Sequence, residues 1–307
     1  MISILGVFNA DLKFLVEKFP KPGETLHGLS FEVQPGGKGF NQAVAASRAM
    51  LSSNVTMLTQ LGEDSFAQMA RDVMHNEGID ASHILTTNQM PTGTAMIMVE
   101  KSSAENMIVI APGAASLLDK NEINGFANVI SNTSVFLTNL EVPMEAAMHG
   151  LRLAKTNGVK TLLDPAPACE LPNEMYNHVD FITPNESEAK MLVGFDVKTL
   201  DDAARAGSIL CERGVGTSII TMGSLGVVAV SEGKTITIPS FEIDNVVDTT
   251  GAGDAFNGCF AALTSEGAEL EQALRFASAG ATLCVGKYGA ANAMPNRKEI
   301  ETFLPDA

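Results

Sequence analysis

Short apolar runs alternate along this chain with longer stretches of mixed character. Residues 2–7 read as a buried strand, and comparable runs fall at 54–61, 135–140, 161–164, 181–183 and 218–222. Between and after them lie segments that predict helices over 42–50, 65–77, 144–157, 199–213, 255–265, 270–287 and 297–304. Gly78 closes the second of these, and one more helix is expected to begin after residues 184–188. Two β-like pieces, 227–230 and 235–238, precede the helix at 255. Strands alternating with helices over most of a chain predict an α/β fold with a doubly wound, mostly parallel sheet.

Two stretches break the alternation. Residues 13–16 and 25–33 read as extended on either side of a turn-rich 19–23. Residues 94–100 and 106–110 form a hairpin pattern about the polar turn 101–104. These two inserts, about 12–34 and 93–112, are expected to make a small antiparallel lid on one domain spanning 1–307.

Composition narrows the chemistry. At 307 residues and 45% hydrophobic content, the chain can bury a large core. Twenty basic against 36 acidic side chains give −16, which argues against a nucleic-acid or anionic-membrane partner. An anionic ligand must then be held locally, by a helix end, a few basic groups or a metal ion. No basic region precedes the first apolar run, and no stretch approaches the ~18–20 apolar residues of a membrane span, so a cytoplasmic protein is expected. Cys169, Cys211, Cys259 and Cys284 are widely spaced, as reduced and mostly buried cysteines would be.

Residues 248–257 hold the densest candidate chemistry. Gly251, Ala252 and Gly253 lead into Asp254 and then into a helix. Glycines there expose backbone N–H groups at a helix start, where an anion is favoured. A carboxylate beside that cradle suits a group transfer in which charge is taken up and a proton removed. The same residues also suit an ordinary N-cap. Neither nucleotide fingerprint is present: Phe256 occupies the third glycine position of G-x-G-x-x-G, and no G-x-x-x-x-G-K-[ST] occurs. Glycines open a second helix at Gly36, Gly37 and Gly39, with Lys38 and Asn41 among them. Further polar sets follow strands at Asn9 and Asp11, at Glu141, at Asn185 and Glu188, and from Thr221 to Gly226. Asn9 and Asp11 equally suit an Asx turn. In a doubly wound sheet, such sets gather along one edge.

Taken in order, these residues resemble the ribokinase-like (PfkB) carbohydrate kinases. The matching residues are Asn9 with Asp11; Pro22, Gly23, Glu24 and Thr25; Gly36 through Gly39 with Asn41, Gln42 and Ala43; and Asn139 with Glu141. Asp164 with Pro165 and Pro167, Thr183 with Asn185, Glu186 and Glu188, Thr221 through Gly226, and Asp248 through Asp254 complete the series. The resemblance implies an ATP-dependent transfer to the primary hydroxyl of a pentose, D-ribose before others. Deoxyribose, another sugar or a nucleoside is the alternative acceptor, and a non-catalytic sugar or nucleotide sensor is the rival of another class. It further implies Asp254 as the base and Gly251, Ala252 and Gly253 as the anion hole. Asn9, Asp11, Gly37, Lys38, Asn41 and Glu141, with Asp254, would hold the sugar. Asn185, Thr221, Gly223, Ser224 and Gly226 would bind ATP, and Glu188 would organise Mg²⁺ through water. A monovalent cation, K⁺ foremost, would sit by Asp248, Thr250 and the carbonyls of Cys284, Lys287 and Gly289. Ala293 departs from the family, which commonly has a serine hydroxyl there. Phe40 replaces a usually smaller residue, with packing at the lid hinge its expected role. The lid's exposed edges suggest pairing with a second copy in a homodimer.

Overall fold

The computed structural model describes residues 1–103 and 105–304; Ala104, in the expected turn 101–104, and residues 305–307 lie outside. Nine strands form the large sheet, in the order Lys234–Ile238, Val227–Ser231, Thr217–Thr221, Phe181–Ile182, Lys160–Asp164, Val135–Asn139, Ile2–Leu5, Val55–Leu58, Ile79–Asp80. Val227–Ser231 pairs antiparallel with both of its neighbours, Lys234–Ile238 and Thr217–Thr221; every other pairing is parallel. Both faces of the parallel strands are covered, which is why they read as nearly unbroken apolar runs. Successive side chains part to opposite sides: Val135 and Leu137 join one core, Phe136 the other.

The helices Lys38–Ala49, Ser65–Asn76, Ala252–Ser265 and Leu270–Val285 contribute to the first core, and Met144–Thr156 and Leu200–Glu212 to the second. From Ile2–Leu5 the chain passes to one side of the sheet, and after Ile79–Asp80 it resumes on the other side at Val135–Asn139. These two strands are neighbours, so the sheet's direction switches between them and leaves a crevice at their C-terminal ends. Asn9, Asn139, Asp164, Thr183 and Thr221 all lie at or just beyond C-terminal strand ends along that edge.

Ala252–Ser265 is buried along most of its length, and it packs tightly on Lys38–Ala49. A Cβ on Gly258 would stand 2.5 Å from the Ala45 Cβ and 2.6 Å from the Gln42 oxygen. Only glycine permits so close a crossing. That crossing sets Asn41 and Gln42 beside the first turn of the partner helix.

The second sheet runs Ser30–Gly36, Asn9–Val16, Gly93–Glu100, Asn106–Ala111. Its outer pairings are antiparallel, while Asn9–Val16 and Gly93–Glu100 run parallel. Asn9 and Asp11, expected in a turn past the first strand, instead begin a strand of this sheet. Their backbone groups find ladder partners there, so no Asx turn is needed. Of the extended run expected at 25–33, only the part from Ser30 onward forms a strand, continuing to Gly36. Phe40 is wholly buried, its ring edge-on to Phe8 with centroids 5.1 Å apart. All four cysteines are free; Cys259 and Cys284 are buried, whereas Cys169 and Cys211 are only half-buried.

Candidate active site

A cleft of about 200 Å³ opens over the C-terminal ends of Lys160–Asp164, Phe181–Ile182 and Thr217–Thr221, along the same sheet edge as the switch point. Strand ends supply Asp164, Thr183, Asn185 and Thr221, the loop Thr249, and the two packed helices Lys38, Asp254 and Asn257. Asp254 lies in the first turn of Ala252–Ser265 and is buried. Asn41 Nδ2 donates to its Oδ2 at 2.9 Å, and Gln42 Nε2 to its Oδ1 at 3.1 Å. Both carboxylate oxygens are therefore aimed by the neighbouring helix. Gln42 Nε2 also donates to Asp164 Oδ2 at 2.7 Å, so one amide spans two carboxylates.

Four acidic side chains surround a single amine. Burial alone would lower the Lys38 pKa, but Asp254, Asp164, Glu141 and Glu188 outweigh it and hold the ammonium charged. The carboxyls show the reverse balance. Burial raises Asp254 despite Lys38 and its two amide donors. It lifts Asp164 to about 8 and Glu141 to about 7, with Lys38 opposing both. Asp11 is raised to about 6 by burial, opposed by Lys13, and burial also raises Glu188. Shifts of this kind in a cleft mark sites built for proton handling.

The sugar-side candidates converge on glycine backbone. Lys38 N–H donates to Glu141 Oε2 at 2.8 Å, joining the helix start to the Val135–Asn139 strand end. A Cβ on Gly36 would fall 2.2 Å from the Asp11 carboxylate, and one on Gly93 would fall 2.2 Å from Asn9 Oδ1. Both polar side chains thus lie flush on bare backbone. Asn9 Oδ1, Asn41 Oδ1 and Asn257 Oδ1 are buried without a partner among the described residues. Such acceptors call for a donor from elsewhere, and hydroxyl groups would provide it.

The nucleotide-side candidates divide. Asn185 and Thr221 form an isolated parallel bridge and line the cleft with the 251–254 turn. Gly223 and Ser224 lie in the tight turn Gly223–Leu225, with Gly226 closing it at φ 102°; none of the three borders this cleft. Asn185 caps the helix Glu186–Val193, and Glu188 Oε2 accepts the Asn185 N–H at 2.9 Å in a capping box. Glu188 is therefore a helix cap and a cleft-lining carboxylate at once. A hard, oxygen-preferring ion carried in on phosphate oxygens fits beside it.

The cation-side candidates also come together. Asp248 Oδ1 accepts the Thr250 N–H at 2.9 Å, and Oδ2 accepts the Gly289 N–H at 3.2 Å. The Cys284 carbonyl already accepts the Lys287 N–H at 3.0 Å, and the Lys287 amine turns away to Glu299 at 2.8 Å. Ala293 is fully buried, and its methyl can give a cation nothing. Among the described residues, no three His, Cys, Asp or Glu side chains are grouped closely enough to hold a metal ion unaided.

Gln42, Asp164, Thr183, Thr249 and Asn257 were not singled out as site residues from the sequence. Asp164 carried a signal, a carboxylate at a strand end before Pro165. Gln42 was matched in the family resemblance but given no role, because its role comes from the helix crossing.

A doubly wound sheet whose C-terminal edge carries a cleft joining an open helix start to a shielded carboxylate is the architecture of a phosphoryl-transfer enzyme. The chain belongs to the pfkB family of carbohydrate kinases, whose family model matches residues 1–297. It is 40% identical over 306 residues to ribokinase of Haemophilus influenzae, covering 100% of this chain and 99% of that one. It is 34% identical over 304 residues to deoxyribokinase of Salmonella typhi, covering 99% and 98%. Arabidopsis thaliana ribokinase, solved with ribose and ATP, superposes with a TM-score of 0.92 at 30% identity, covering 100% and 99%.

Proposed function

We propose that this protein phosphorylates D-ribose from ATP, giving ribose 5-phosphate. The observation that carries the chemistry is Asp254: buried, fixed by two amides, and one residue beyond the glycine at the open helix start. In this reading Asp254 accepts the proton of the sugar's primary hydroxyl. The hydroxyl oxygen forms a bond to the γ-phosphorus as the bond to the β-phosphate oxygen breaks. The N–H groups of the 251–254 turn and the Lys38 ammonium take up the charge that spreads over the transferred group.

Asn9, Asp11, Gly37, Asn41 and Glu141 hold and orient the remaining sugar hydroxyls. Asn185, Thr221 and the 223–226 turn hold the nucleotide. Mg²⁺, organised by Glu188 through water, would neutralise phosphate charge. Asp248 and Thr250, with the carbonyls of Cys284, Lys287 and Gly289, would hold K⁺ or a similar ion. Affinity there is expected to be weak, since Ala293 offers no oxygen and the Cys284 carbonyl is already engaged.

The small sheet serves as the lid that closes over the sugar and excludes water. Its edge strand Asn106–Ala111 is exposed at every residue, including Met107, Ile108, Val109 and Ile110. An apolar edge of this kind supports a lid-mediated homodimer. Four free cysteines fit a reducing, cytoplasmic setting. Likeness to a deoxyribokinase favours deoxyribose as the second acceptor.

The test is ATP consumption with Mg²⁺ and K⁺ against ribose, deoxyribose, hexoses and nucleosides. A dominant response to ribose supports the reading. A dominant response to another acceptor retains the chemistry and moves the substrate, and silence on all acceptors overturns it.

A further inference from the structure

One contact outside the cleft ties the small sheet to the loop behind the 251–254 turn. Lys13 and Glu32 oppose each other across Asn9–Val16 and Ser30–Gly36. Tyr288, from the segment after helix Leu270–Val285, engages both. Its hydroxyl donates to Glu32 Oε1 at 2.6 Å, and Lys13 Nζ stands 4.1 Å from its ring centroid. Burial and the bond to Glu32 raise the phenol's pKa, so it stays a donor through neutral pH. The neighbouring Gly289 donates its N–H to Asp248, which also accepts the N–H of Thr250. Thr250 leads directly into Gly251, where a Cβ would lie 3.2 Å from the Ala290 Cα. A continuous series of bonds and contacts therefore runs from the lid strands through Tyr288 and Asp248 to the start of helix Ala252–Ser265.

We propose that Tyr288 is a positioning residue that latches the small sheet to the 286–290 loop, so that the lid and the anion-binding turn are ordered together. For its effect on turnover this rests on the sugar-kinase reading; the latch itself does not. The ring over Lys13 and the bond to Glu32 are each modest at a half-exposed position. Their value lies in where they act, joining two segments that would bind different substrates. Coupling of this kind is reciprocal, so nucleotide should tighten sugar binding by the same factor as sugar tightens nucleotide binding.

The experiment compares wild type with Tyr288→Phe, which keeps the ring and loses the hydroxyl, and with Tyr288→Ala, which loses both. Amide hydrogen exchange is followed first in the protein without ligand. The latch predicts faster exchange in Tyr288→Ala both across residues 30–36 and at Thr250 and Gly251. With sugar and ATP, it predicts a sugar KM raised about tenfold in Tyr288→Ala and less in Tyr288→Phe, with kcat changed less. Faster exchange confined to 286–290, or an unchanged KM in both variants, overturns the latch. If Tyr288→Ala does not fold, the near-isosteric Tyr288→Phe decides on both readouts. If wild type phosphorylates no sugar, the functional reading falls, and exchange alone decides the latch.

Discussion

Two helices in this molecule begin at a glycine of positive φ and carry no side-chain cap. Lys38–Ala49 follows Gly37 at φ 93°, and Ala252–Ser265 follows Gly251 at φ 81°. Their first turns meet opposite fates. In the former, the N–H groups of Lys38 and Phe40 are taken by Glu141 and Val7, and only that of Gly39 between them has no acceptor among the described residues. A Cβ on Gly37 would strike the Val7 carbonyl oxygen at 2.6 Å, so that glycine is there to let backbone touch backbone. In the latter, the Ala252 N–H reaches the Thr249 carbonyl at 3.3 Å, and those of Gly253 and Asp254 have no acceptor among the described residues. A Cβ on Gly253 would meet nothing within 4 Å. One glycine-opened helix is closed by the protein; the other is left open toward the cleft. The closed one positions side chains, and the open one leaves donors free at the positive end of its dipole.

That contrast can be broken at several points. Asp254→Asn should reduce turnover by about 10²–10⁴-fold, because the amide cannot accept the proton. Sugar binding measured by calorimetry should persist; turnover near the wild-type rate would remove Asp254 as the base. Gly37→Ala should destabilise the fold by about 2–4 kcal/mol, through its positive φ and the clash with Val7. Urea unfolding measures this, and an unchanged midpoint would refute the closed-end account.

Gly253→Ala should do the opposite to the fold, leaving stability equal or raising it by about 0.5–1 kcal/mol, since alanine favours a helix. Its methyl would occupy the open side, lowering turnover about 10–100-fold. Full activity in that variant would show that no phosphate approaches there.

A subtler effect concerns pH. The ordinary Asp value is 3.8, and burial lifts Asp164 to about 8. The stability it contributes is present in full below the ordinary value and is lost as pH rises through about 8. Asp164→Asn removes this dependence. Its Tm advantage over wild type should grow between pH 5 and pH 8.5, by about 1 kcal/mol or more in stability. An equal Tm difference at both pH values would count against a buried, neutral Asp164. Wild-type turnover should also fall with acidity at a pH above the usual carboxylate range, because burial raises Asp254 and the proton it gains there disables the base.

Much of this was legible in the chain. The apolar runs gave the strands of the parallel sheet except the two-residue Ile79–Asp80, since burial on both faces leaves no polar alternation to confuse the reading. The glycines and Asp254 pointed to a candidate anion site, because glycines there expose the first N–H groups of a helix, although an ordinary N-cap suits the same residues. The helices at 120–125 and 127–131 were missed: they are short and carry little periodic signal. The placement of Asn9 and Asp11 in the small sheet was missed as well, since their ladder partners Gly36, Gln34, Gly93 and Ala95 lie outside any local stretch.

The sequence by itself determined the fold class, the order of the polar sets and the presence of two glycine-opened helices. Each follows from local backbone preference or from a pattern a few residues long. Which of those helices stays open was decided only by tertiary structure. So were Gln42 bridging Asp254 and Asp164, the carboxyl shifts around Lys38, and the reach of Tyr288 to the lid. These depend on groups up to 256 residues apart being brought within a few ångströms, and no local stretch encodes which partner will arrive or how much water it will displace.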